Sequence, residues 1–132
     1  MNEITYGYEK NLADISLNDA RKRVVEALAA EGFGVLTEID MKATLKKKLD
    51  VDFRPYVILG ACNPKLAHRA LEAEPQIGLL LPCNVVLQEG RDGVVLSIAN
   101  ARTMFGLVEN SALDSLVNEA DERLRRVLES VS

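Results

Sequence analysis

Tyr56-Val57-Ile58-Leu59-Gly60-Ala61-Cys62-Asn63-Pro64 places a strand and a helix start back to back. The apolar run Tyr56 to Leu59 lies between Pro55 and Gly60 and includes aromatic and β-branched residues. It reads as a buried strand within Phe53 to Ala61. Asn63 then offers an N-cap side chain, and Pro64 takes the first helical position, where a missing N–H costs nothing. Leu66, Ala67, Ala70 and Leu71 recur at helical spacing as the inward face, and the helix is predicted to end before Pro75.

Downstream, a strand around Val85-Val86-Leu87, the turn Glu89-Gly90-Arg91-Asp92-Gly93 and a return strand through Val94, Val95, Leu96 and Ile98 read as an antiparallel hairpin. Ser111 and Asp114 open the last helix. Its stripe is Leu113, Leu116, Val117, Ala120, Leu124, Val127, Leu128 and Val131. Glu119–Arg123, Asp121–Arg125 and Glu122–Arg126 stand at i,i+4 and are read as ion pairs on a solvated face. Upstream, Ile4, Tyr6 and Tyr8 alternate with Thr5, Gly7 and Glu9, the period of a half-buried strand. Ser16 caps a helix carrying Leu17, Ala20, Val24 and Leu28, and Gly32 stops it. Phe33, Val35 and Leu36 lead a second strand to near Ile39, and Asp40 caps a short helix through Lys48, with Leu45 and Leu49 four apart. The order β-α-β-(α)-β-α-β-β-α predicts an α+β fold: a mainly antiparallel sheet with helices packed on one face. No linker or repeat interrupts it, so residues 1–132 are expected to form one domain.

The chain of 132 residues is long enough to bury a core without disulfides or metal. It is 48% hydrophobic and 27% charged, which excludes a disordered tail or a fibrous protein. A net charge of -4 supplies no positive stripe for phosphates. Three Phe, three Tyr and no Trp leave few platforms for stacking bases, so no nucleic-acid partner is expected. No basic-then-apolar leader is visible at Met1-Asn2-Glu3-Ile4. The longest apolar stretch, Ile77-Gly78-Leu79-Leu80-Leu81, is far short of the ~20 residues that span a bilayer. The expected compartment is the cytoplasm, with no membrane contact and with Cys62 and Cys83 as reduced thiols.

Chemistry is expected at two corners, Gly60-Ala61-Cys62-Asn63-Pro64 and Leu81-Pro82-Cys83-Asn84-Val85, each a Cys beside an Asn next to a proline. Cys62 precedes a helix N-terminus, whose free amides favour an anion, and Lys65 adds positive charge. Against this stands a plain packing role for a small apolar thiol. Asn63 and Asn84 can orient a polar ligand group, with Lys42 or Arg54 as counter-charge; equally, both Asn side chains can simply cap turns. The Cys-x5-Arg phosphatase signature fails, because His68 stands where the arginine belongs and Pro64 leaves no loop to wrap a phosphate. Cys62, Cys83 and His68 are borderline metal ligands whose spacing demands no site, and His68 falls off the apolar face of its helix. Lys42, Lys46, Lys47 and Lys48 read as a solvated basic face. No Gly-rich phosphate loop or paired-carboxylate pattern appears, so no cofactor is called for.

Three stretches carry a resemblance: Met41-Lys42-Ala43-Thr44-Leu45, Phe53 through Pro64, and Ile77 through Val85. With the β-α start and the closing helix, they make the chain similar to the domain of unknown function 302 family of bacterial and archaeal proteins. The resemblance implies a compact α+β fold of TATA-binding-protein-like β-α-β(n)-α topology, often a homodimer, and no established reaction. Ala101-Arg102 departs from it, standing where members often carry a proline after the hairpin. The apolar run Ile77 to Leu81, longer than one short strand needs, also points to self-association. Two functional readings stay open. One is a non-enzymatic small-ligand binding or carrier domain with its site near the Cys-Asn corners. The other is thiol-based redox, sulfur-transfer or metal-handling chemistry on Cys62 and Cys83. Whether the protein is an enzyme is not decided by the sequence.

Overall fold

In a computed structural model, which describes residues 2–132, the stretch that ends at the Asn-Pro corner is strand β4, Tyr56–Cys62. It lies inside a six-stranded sheet ordered β1-β2-β6-β5-β4-β3. The other strands are β1 Asn2–Ile4, β2 Gly7–Ala13, β3 Gly34–Asp40, β5 Cys83–Glu89 and β6 Gly93–Ala99. All neighbouring strands run antiparallel. The helices are α1 Leu17–Ala30, α2 Met41–Leu49, α3 Pro64–Ala73, α4 Ala101–Phe105 and α5 Asp114–Ser130. The fold is α+β, as expected.

Strand alternation sorts the side chains into two unlike faces. One face buries Tyr8 and Leu12 of β2, Val57, Leu59 and Ala61 of β4, Val85 and Leu87 of β5, and Val94, Leu96 and Ile98 of β6. Against it, α1 packs Ala20, Val24 and Leu28, and α5 packs Leu116, Ala120, Leu124, Val127 and Leu128. Each fully buried aliphatic side chain contributes on the order of 1.5–3 kcal/mol. The opposite face carries Ile58, Val86 and Ser97 in one cross-strand row and Tyr56, Gln88 and Val95 in the next, and none of them is buried.

The caps follow the sequence. Ser16, Asp40 and Asn63 accept from the backbone N–H of Asp19, Ala43 and Leu66. Gly32 stands just past α1 at φ +84°, a left-handed conformation that glycine adopts without strain.

Six expectations are corrected. The alternation from Ile4 to Tyr8 is not one strand: Thr5 and Tyr6 form a turn, and Tyr6 is exposed. Asn100 N–H donates to the Tyr6 carbonyl there, and a Cβ on Gly7 would sit 2.9 Å from the Ile98 carbonyl oxygen, so the chain turns to lie close against β6. Phe33 is buried but precedes β3, whose register shifts between Val35 and Thr37 and leaves Leu36 exposed at the sheet edge. Leu71 is half exposed, because α3 packs on α5 and on a following 3-10 helix rather than over the sheet centre. That 3-10 helix, Pro75–Leu80, takes up the apolar run, burying Ile77 and leaving Leu79 85% exposed. After the hairpin, where the expected order placed no element, Asn100 caps the short helix α4. The last helix itself opens as a 3-10 turn, Ser111–Leu113, capped by Asn110, with α5 proper starting at Asp114.

Candidate functional site

The Asn63 corner ties three helices together. Asn63 Oδ1 accepts from Leu66 N–H at 3.3 Å, and its Nδ2 donates to the Glu31 carbonyl at 3.4 Å. A Cβ on Gly32 would lie 2.9 Å from that Nδ2, so the glycine clears the approach. From α5, Arg123 donates to the same Glu31 carbonyl at 3.1 Å, and Arg126 bonds the Glu31 carboxylate at 3.0 Å. Arg126 therefore pairs with Glu31 across the helix layer, and the expected i,i+4 pair with Glu122 is not formed among the described residues.

Below this corner an apolar cleft opens between α3 and α5. Leu66, Ala67 and Ala70 form one wall and Leu116, Val117 and Ala120 the other. Phe33, Cys62 and Asn63 stand at one end, with Phe105 and Leu113 toward the other. Small side chains facing each other (Ala67 and Ala70 against Ala120) leave the gap. The cleft has a volume of about 50 Å³. It is narrow and almost wholly apolar. Phe105, Leu113 and Val117 also line a second, open, polar cleft that holds Arg102, Asn110, Ser111 and Asn118, with Glu109 and Asp114.

The cysteines lie on adjacent strands: Cys83 pairs with Ala61, the residue before Cys62. Both thiols are free. Burial pushes the Cys62 thiol up from its ordinary value. Burial first, and then the neighbouring Cys62, push Cys83 up to about 11. Low-pKa activation of the kind a nucleophilic thiol needs is thus opposed at both positions. Cys83 packs against the core, and Cys62 lines the cleft.

The remaining candidates do not gather there. Asn84 is exposed and pairs with Gly60 on the sheet face away from the core. Lys42 and Arg54 lie at the far end of β4, roughly 20 Å from Cys62 at the usual strand rise. Lys42 Nζ donates to the Phe53 carbonyl at 2.8 Å; Arg54 bonds Gln88 at 2.9 Å and stacks 4.5 Å from the Phe53 ring centre. His68 is exposed on α3 and meets Glu72 at 2.7 Å. Among the described residues Cys62, Cys83 and His68 do not form a metal-ligand cluster.

Sequence reasoning missed one group. Asp121, read as half of a solvated pair, is 0% exposed. It accepts from Tyr8 O–H at 2.9 Å and from Arg125 Nε at 2.9 Å, and Arg102 Nε approaches at 3.5 Å. Arg125 also stacks 4.6 Å from the centre of the Tyr8 ring. Helical phase held the signal. Val117, Asp121, Leu124 and Leu128 follow one another at spacings of four, three and four, so Asp121 lies within the apolar stripe.

A family model described as "Domain of unknown function DUF302" matches residues 8–131. The chain is similar over its length to a solved structure, the uncharacterized conserved protein DUF302 from Bacillus stearothermophilus. Identity is 28%, 96% of this chain and 98% of that one are covered, and the TM-score is 0.87. No curated protein matches.

Proposed function

The chain belongs to the family of the domain of unknown function DUF302, and from that premise we propose that it is a non-enzymatic domain binding a small apolar ligand in the α3–α5 cleft. One observation carries this reading: a narrow apolar cleft opens beside the Asn63 corner, between α3 and α5. Ligand sites are concave, mostly apolar and furnished with a few placed polar groups, and Asn63 at one end with the Arg102 cleft at the other fits that description. The thiol reading is the weaker one, since both cysteines have raised pKa values. Among the described residues no helix is long and apolar enough to cross a membrane. The reading places the protein in the cytoplasm.

The test is calorimetric titration with a slender apolar probe such as octanol, on the wild type and on Ala70→Phe, which fills the cleft. The expected result is saturable binding that Ala70→Phe removes while the melting temperature holds. Equal binding by both proteins would refute the site.

We also propose self-association as a homodimer. Leu79 at 85% exposure, together with the uncovered row of Ile58 and Val86, supplies apolar surface that a monomer gains nothing by exposing. Light scattering at micromolar concentration is expected to give twice 14.5 kDa; a clean monomer would refute the dimer.

A further inference from the structure

We propose that the ligand is a slender amphiphile with one anionic head, its chain lying between α3 and α5 and its head on Arg102; this rests on the cleft reading above and adds the ligand's chemical class. The cleft limits the shape. Asn63 to Ala70 along α3 and Leu113 to Ala120 along α5 each span roughly 10 Å at the helical rise. A cleft of only about 50 Å³ spread along that length favours an unbranched hydrocarbon over a bulky ring.

The head follows from what lies at the exit. Phe105 and Leu113 line both the apolar cleft and the polar one, and Arg102 stands one turn before Phe105 on α4. Its Nε donates to Asn118 Oδ1 at 3.1 Å, and its nearest approach to the Asp121 carboxylate is also from Nε, at 3.5 Å. Among the described residues nothing bonds its two Nη groups, and the side chain is 48% exposed. A guanidinium pinned at Nε presents its outer edge to a carboxylate or sulfonate with little further ordering cost. Arg102 and Arg125 flank the single buried Asp121 carboxylate, and Arg102 is the one of the two that lines the polar cleft. Glu109 and Asp114 line the same polar cleft and are exposed as Arg102 is, so water and salt screen all three alike, and the head is selected by direct contact with the Arg102 Nη groups, not by the net charge of the cleft. The resulting site has an apolar slot about one medium chain long and a fixed cation at its mouth.

Calorimetric titration with octanoate, octanol and octyltrimethylammonium tests this. Octanoate is expected to bind about tenfold tighter than octanol, as one charge-assisted contact allows, and the ammonium weakest. Arg102→Gln is expected to bring octanoate down to octanol's affinity and leave octanol unchanged. Ala70→Phe is expected to abolish both. If octanoate and octanol bind the wild type equally and Ala70→Phe removes both, the head assignment falls while the cleft reading stands. If none of the three binds at millimolar concentration, both fall. Should Arg102→Gln not fold, the three-ligand comparison on the wild type decides alone.

Discussion

Asp121→Ala removes a fully buried carboxylate and takes a partner from Tyr8, Arg125 and Arg102 at once. Tyr8 is 2% exposed, so its hydroxyl, now 2.9 Å from Asp121, is left buried without an acceptor. A hydrogen bond to a charged partner contributes ~1.5–3 kcal/mol, and an orphaned buried polar group costs ~1–3 kcal/mol more. Arg102 and Arg125 are nearly half exposed, so water rescues them and their share is a few tenths of a kcal/mol. Relief of the buried carboxylate's own desolvation offsets part of the loss. The net expectation is about 3 kcal/mol, the lower end of what breaking a buried ion pair costs. Urea unfolding of wild type, Asp121→Ala, Tyr8→Phe and the double variant measures it. The two single costs should exceed the double cost by at least ~1 kcal/mol, because both remove the same bond. The pair also sets an alkaline limit. Burial first, then the Asp121 carboxylate, raise the Tyr8 phenol above its ordinary value of 10.0. The folded state therefore holds a proton that the unfolded state has lost, and ∂ΔG/∂pH is negative in that window. This contribution is intact below pH ~10 and is lost as pH climbs through the higher folded value; Tyr8→Phe removes that slope. An Asp121→Ala cost below ~1 kcal/mol, or an additive cycle, would refute the reasoning.

Leu124 is fully buried against the sheet, so Leu124→Asp should leave no cooperative thermal transition at neutral pH; an unchanged melting temperature would remove α5 from the core. A Cβ on Gly60 would sit 2.2 Å from Thr37 Oγ1 and 2.7 Å from Pro82 Cγ, and the proline ring cannot swing away. Gly60→Ala should cost ~1–3 kcal/mol in urea unfolding. With its thiol pushed up to about 11, Cys83 is ionised to roughly one part in a thousand at pH 8 and should resist a disulfide reagent until denaturant is added, while Cys62 reacts slowly in the folded protein. Rapid labelling of Cys83 in the native state would overturn its placement against the core.

Local chemistry is what the sequence made legible. The Asn63-Pro64 corner, the Asp40 and Ser16 caps and the β5–β6 hairpin were readable because each signal lies within a few residues of its effect. Features set by distant contacts were not. Alternation alone cannot show that Thr5–Tyr6 turns, since the cause is β6, brought alongside from the other half of the chain. Lys42 and Arg54 looked available as counter-charge because sequence distance hides the length of β4, which carries them to the opposite end of the sheet. Asp121 was the instructive miss. Its i,i+4 partner suggested a solvated pair, while its phase in the stripe pointed inward, and phase won because Tyr8 supplied a buried donor.

The cleft itself follows from how α3 is anchored. An amphipathic helix after β4 would ordinarily lie down over the sheet and close the core. Here Pro64 starts the helix immediately after β4, and Asn63 ties that start to the end of α1 through the Glu31 carbonyl. Arg123 and Arg126 tie α5 to the same residue. Both helices are thus fixed at one end to a common post, and Ala67, Ala70 and Ala120 are too small to fill the space between them. Larger side chains at those three positions would close the gap at no evident cost to the anchors. Closing it would also add buried apolar area, ~0.8 kcal/mol for each methylene. A protein selected only for stability would fill such a space. That an inexpensive gain is forgone beside a pinned guanidinium is the physical reason to look for function in the helix layer, and not on the sheet or at the thiols.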